Sequence, residues 1–161
     1  MHKTPMHKTR PNPIHHGLLF AAQPLGSRWR TQRRTITEFD LMSFVTTCGF
    51  NEALFLDGAA ARELGFKGRV IPGALTLSIA EGLVISSGAL SGTGMAFLAG
   101  EIQVKAPVFV GDTLEVWVEV TAAKMTSRSD RGVVTTRNEV RNQDDELVMV
   151  FTPSRMIRAS P

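Results

Sequence analysis

GALTLSIAEGLVISS, residues 73–87, decides the fold. Leu75, Leu77, Ile79, Ala80, Leu83, Val84 and Ile85 leave this stretch apolar nearly all round, and a helix without a polar face is buried inside its domain. At 1.5 Å per residue it is about 22 Å long, enough to run across a sheet. Downstream the period changes to two. In Thr113–Ala123 the apolar Leu114, Val116, Val118 and Val120 alternate with Glu115, Trp117, Glu119 and Thr121, as a half-buried strand requires. Gly94–Ala106 predicts a strand with a possible bulge at Gly100, and Gly132–Arg141 and Glu146–Arg158 predict two more, joined through an Asn-Gln-Asp-Asp turn. One long buried helix followed by four strands with hairpin-like connections implies an α+β domain, an antiparallel sheet curled around a central helix.

Upstream, Arg28–Ile36 alternates and suits a first strand. Thr37, followed by Glu38 and Asp40, reads as the cap of a helix running to about Cys48, stopped by Gly49. Phe50–Leu56 reads as a connecting turn, and Asp57 as the cap of a short helix, Gly58–Leu64. Residues 1–26 read as a flexible lead-in, with the domain over 27–161. The lead-in holds four of the eight prolines and all four histidines, and such a composition buries too little surface to offset its ordering entropy. The way this expectation would fail is by Leu18, Leu19 and Phe20 packing on the sheet. From Gly17 onward the chain has no histidine, so the domain has no imidazole for acid/base work.

The totals exclude several classes. A chain of 161 residues, 43% hydrophobic, suits one domain. One cysteine forms no internal disulfide and suits a reducing cytoplasm, and it offers no metal-ligand spacing with the scattered histidines. No apolar run approaches the roughly 20 residues that span a bilayer, and the run at 17–22 is too short for a secretory signal. The net charge of +3 is uneven: residues 1–37 carry seven Lys/Arg and no acid, against eleven Lys/Arg and fifteen Asp/Glu beyond. Without interleaved aromatic residues this basic segment does not point to nucleic acid. It reads either as a solvated strand face or as a neighbour, at Arg28–Arg34, of an anionic group.

The segment Gly49-Phe-Asn-Glu-Ala-Leu-Phe55 and the later Pro72-Gly73 carry a resemblance to the MaoC-like (R)-specific enoyl-CoA hydratases, whose motif reads Gly-Asp-x-Asn-Pro-aliphatic-His, with a His-Gly turn opening the central helix. Gly49 and Gly73 match the two glycines. The family's catalytic Asp and His fall on Phe50 and Phe55, its Asn on Glu52, its Pro on Ala53, and the later His on Pro72. The resemblance covers about 28–157 and includes Pro-Val-Phe-Val-Gly-Asp-Thr-Leu at 107–114. It implies a single hot-dog domain, a thioester of coenzyme A or an acyl carrier protein as the partner, no dissociable cofactor beyond the coenzyme A of the substrate, and a homodimer or dimer of dimers. Neither nucleic acid nor membrane is implied.

Within that frame the candidate catalytic residues are Gly73, Glu52 and Glu81. The Gly73 N–H lies at the positive end of the helix and, by the resemblance, receives the thioester carbonyl where negative charge grows. The other reading is a glycine that only lets the chain pass tightly from Pro72 into the helix. Glu52 is the carboxylate in the segment of the missing pair, and desolvation between Phe50, Leu54 and Phe55 would suit it to proton transfer, although a solvated turn glutamate fits the same position. Asn51 could orient a water or simply tolerate a turn, while Phe50 and Phe55 would pack and dry the pocket. Glu81 follows Ser78 by three residues on one helix face, in a register similar to hot-dog thioesterases that use such a glutamate. The other reading is an anchor bonded to an arginine or to backbone near a subunit interface. Cys48 reads as a small buried residue.

Overall fold

The computed structural model describes residues 17–160. Its elements are β1 (Arg28–Arg30), β2 (Arg34–Thr35), α1 (Glu38–Cys48), α2 (Ala53–Leu56), α3 (Gly58–Glu63), α4 (Gly73–Ser86), β3 (Gly94–Val104), β4 (Thr113–Met125), β5 (Arg131–Arg141) and β6 (Leu147–Arg158). The strands form one antiparallel six-stranded sheet in the order β1-β4-β5-β6-β3, with β2 also on β4. The helix α4 buries Leu75, Ile79, Ala80, Leu83 and Val84 in one cluster with Val116, Val118, Val140, Met149 and Phe151 of the sheet. This is the hot-dog fold, an α+β domain with the sheet wrapped around one long helix.

Local chemistry sets the boundaries. Thr37 and Asp40 form a reciprocal capping box at α1: the Asp40 N–H donates to Thr37 Oγ1 at 3.3 Å, and the Thr37 N–H donates to Asp40 Oδ2 at 2.8 Å. Gly49 ends α1 in the left-handed region, φ 73°. Asp57 caps α3 by accepting the Ala59 N–H at 2.7 Å.

Several expectations are corrected. The strand expected over 28–36 is broken, because Arg30 pairs with Trp117 but Arg34 with Leu114, leaving one extra residue in the upstream strand. Thr31 covers the break by accepting the Val116 N–H on its hydroxyl at 3.0 Å and donating its own N–H to the Val116 carbonyl at 3.0 Å. Residues 53–56, expected as a plain turn, close one helical turn. The β3 strand is not a hairpin partner of β4 but lies at the far edge beside β6. Its irregularities fall at Gly94/Ala96 and Phe97/Ala99, not at Gly100, which pairs regularly with Pro153. Gly100 is small for another reason: a Cβ there would lie 3.0 Å from the Phe97 ring. Cys48 is exposed, since it sits at the solvent end of α1.

Residues 17–26, expected as a lead-in, are docked. The Gly17 and Leu18 N–H groups bond the Ser91 and Ala89 carbonyls at 2.8 Å each, and Gln23 is buried with its amide on the Leu18 carbonyl at 3.0 Å. Phe20 lies against Gly132, where a Cβ would come within 2.3 Å of the ring, and packs on Val120, Val134 and Ile157. A flat ring seated over a glycine makes burial that polar composition alone does not reveal. The four histidines lie at positions 2–16, outside the described residues.

Candidate functional site

Three loops and one strand end meet at the N-terminus of α4. The Ile71 N–H donates to the Val108 carbonyl at 2.8 Å, and Val70 bridges Phe109, tying the approach to α4 onto the turn between β3 and β4. That turn is fixed by Gly111, φ 93°, and by the buried Asp112, which accepts the Phe109 N–H at 2.8 Å and the Gln143 amide at 3.0 Å. Between these loops lies a cleft of about 390 Å³. It is lined by Leu54, Phe55, Phe66 and Val70, by Val104 to Val108, by Val148 and Met149, and by Gly73 and Thr76 of α4. The first-turn N–H groups of α4 carry the positive end of its dipole. They sit here against an apolar wall, which strengthens any bond they make to a developing oxyanion.

The expected residues are only partly brought together. Gly73 and Phe55 line the cleft. Phe50 stands behind Phe55, with ring centroids 6.2 Å apart, and against Phe44 at 5.0 Å, so it packs on the core side. Glu52 and Asn51 are exposed. Glu52 precedes the α2 turn whose Leu54 and Phe55 line the cleft, so the desolvated setting expected for it is not formed. Ser78 turns away: its hydroxyl donates to the Ala74 carbonyl at 2.9 Å, and it borders a second hollow with Arg34 and Asp40. Burial raises the Asp40 carboxyl, but the Thr37 bonds and the Arg34 guanidinium outweigh it and hold the group below the usual range.

Glu81 lies eight helical positions beyond Gly73, about 12 Å of rise, and five beyond Thr76. Its carboxylate accepts two bonds from the buried Arg155 of β6, the Nε bond at 3.3 Å, and Arg155 Nη1 donates to Thr136 Oγ1 at 3.3 Å. The arginine-anchor reading is the one the geometry supports.

Two lining residues escaped sequence reasoning. Thr76 is buried one turn along from Gly73, and its hydroxyl reaches the Pro72 carbonyl at a long 3.4 Å, leaving it available to a ligand. The signal was there in the i, i+3 spacing. Lys105 is the one ionisable residue among the described residues that line the cleft. Arg28 and Arg30 instead lie on the outer sheet face, bonded to Glu119 and Glu115. No group of three His, Cys, Asp or Glu among the described residues is gathered as a metal would need.

A glycine-headed buried helix opening into an apolar cleft marks this as a hot-dog protein with its candidate site at the head of the central helix. The chain belongs to the MaoC like domain family, whose model matches residues 20–143. It is 33% identical over 96 residues to an (R)-specific enoyl-CoA hydratase of Aeromonas caviae, covering 60% of this chain and 67% of that one. Among solved structures it is similar to a monoamine oxidase regulatory protein from Archaeoglobus, at 32% identity and TM-score 0.80, covering 90% and 97% of the two chains. It is also similar to a MaoC-like dehydratase from Rhodospirillum rubrum, at 28% identity and TM-score 0.81, covering 90% and 99%.

Proposed function

We propose that the protein holds an acyl thioester, of coenzyme A or an acyl carrier protein, in the Gly73 cleft, and adds or removes water across the 2,3-bond of an enoyl/3-hydroxyacyl thioester. The observation that carries the reading is Gly73 itself, an exposed glycine whose N–H heads a buried helix at the open side of an apolar cleft. In hydration the Gly73 N–H takes the carbonyl oxygen, which gains negative charge as water attacks C3. Glu52, two residues before Leu54 of the cleft, would take the proton of that water and return it to C2. Asn51 beside it would orient the water.

The test is to offer crotonyl-CoA to the pure protein and follow loss of the enoyl absorbance together with release of free thiol. Hydration without thiol release supports the reading, and Glu52→Gln should lower kcat by roughly 10²–10⁴-fold, the usual weight of one acid/base group. Full activity in that variant would remove Glu52 from the mechanism.

A second reading is an acyl-binding subunit without chemistry of its own. It is favoured by the lining, where Lys105 is the one ionisable residue among the described residues, and by the match of Phe50 and Phe55 to the family's acid/base positions. Tight binding of crotonyl-CoA with neither hydration nor hydrolysis would select it.

We further propose that β3 pairs with a second copy. All eleven of its residues are exposed, Met95, Phe97, Leu98, Ile102 and Val104 among them. A long apolar edge strand is a template for pairing. Sedimentation showing a monomer at micromolar concentration would refute it. The single cysteine, exposed in the fold, accords with a cytoplasmic setting.

A further inference from the structure

The inner face of the sheet holds a polar pair that the cleft does not use. Trp29 of β1 stands opposite Val118 of β4, and Val118 opposite Asn138 of β5, so the three side chains share one cross-strand row and one face. That face is interior: Trp29 packs on both hydrophobic clusters, and Asn138 is wholly buried. Yet Trp29 Nε1, Asn138 Nδ2 and Asn138 Oδ1 are buried without a hydrogen-bond partner in the protein. The neighbouring row, Val116–Val140–Met149–Val104, includes two residues that line the Gly73 cleft, so the pair lies one layer behind the site.

We infer that the Trp29 indole and the Asn138 side-chain amide share one internal water molecule. Two strand spacings put their Cα atoms about 10 Å apart, a span that a large indole and one water together bridge. The water accepts the indole N–H and donates to Asn138 Oδ1, with its second lone pair open to Nδ2. That gives it about three polar partners, the usual number for an internal water. Leaving three buried polar atoms unbonded costs more than immobilising a single water, which decides between an empty and a hydrated pair. Other buried polar groups nearby are already engaged: Thr136 bonds Arg155, and Thr31 bonds the Val116 backbone.

The test uses the full-length protein and its two indoles. Trp29→Phe assigns the Trp29 Nε1–H resonance against that of Trp117, whose indole donates to Glu115 at the surface. In the wild type the Trp29 resonance should show a rotating-frame Overhauser cross-peak to water with dipolar, not exchange, sign. Asn138→Leu should abolish that cross-peak and lower the melting midpoint by several degrees, because the indole loses its bridge. Adding Trp29→Phe should recover part of the loss, so the two changes combine non-additively. Absence of the cross-peak in the wild type overturns the inference, and so does its persistence in Asn138→Leu. The wild-type spectrum decides the matter alone if the Leu variant does not fold. Crotonyl-CoA binding at Gly73 stands outside these outcomes, so failure of the water and failure of the proposed function are separable.

Discussion

Two places on the same helix invite comparison. At its N-terminal end α4 opens on a cleft with an apolar wall and unbonded N–H groups. In its middle, Glu81 is locked to Arg155 and Thr136. By sequence, Glu81 looks the more chemical of the two, being the one charge between Arg69 and Glu101. In the fold it is the less available, because Arg155 is only 5% exposed and must have a counter-charge. A buried charge is retained where it is paired, and a ligand site is retained where something is left unpaired.

Removing the arginine should give the largest effect. Arg155→Ala strands Glu81 and should lower stability by about 3 kcal/mol in chemical denaturation, while Glu81→Gln, which keeps a hydrogen-bonding group, should cost about 1 kcal/mol. If the two variants cost the same, the pair is not a structural clamp. Next comes the docked N-terminal segment. Phe20→Ala should cost about 2 kcal/mol, below the range for a fully buried phenylalanine because the residue is half-buried, and deleting 1–26 should cost at least as much. A truncated protein as stable as the full chain would return 17–26 to the status of a tail.

At the cleft the expected pattern reverses. Gly73→Val should weaken acyl-thioester binding at least about tenfold, near 1.4 kcal/mol, with melting little changed. A Cβ there meets only Val104 Cγ2, at 3.4 Å, so the fold has room while the N–H is crowded. Normal binding by that variant in calorimetry would remove the proposed oxyanion contact.

The smallest effect concerns the outer sheet face. Hydrogen bonds from Arg137 and then Arg141 hold the Glu139 carboxyl below its ordinary 4.5, against the opposing pull of burial. A depressed folded-state value means stability that is present above about pH 4.5 and lost as pH falls through the lower, folded value. Glu139→Gln should flatten that acid limb by less than about 1 kcal/mol, since the pair is partly exposed and screened. An unchanged acid limb would show that the pair contributes nothing.

The elements were legible in the sequence because each carried its own local signal. The Thr37/Asp40 box, Gly49 and Asp57 mark helix ends through bonds made within four residues, and β4 and β5 alternate because one face is wet. The candidate site was half legible for the same reason. Gly73 was found through its place at a helix start and Phe55 through the resemblance of 49–55 to the MaoC-like motif, whereas Thr76 and Lys105 were not found, since neither is unusual where it stands. Glu81 could be read as an anchor but its arginine could not be named, because Arg155 lies 74 residues away.

By itself the sequence determined the fold class, the buried helix and the glycine at its head, since these follow from periodicity and from backbone freedom. Only the tertiary structure decided which polar groups are spent and which are free. It set Arg155 against Glu81, turned Ser78 outward, left Glu52 in solvent, seated Phe20 over Gly132 and placed β3 at an open edge. Each of these depends on a neighbour distant in the chain, and pairing between distant residues is set by how the sheet closes around the helix.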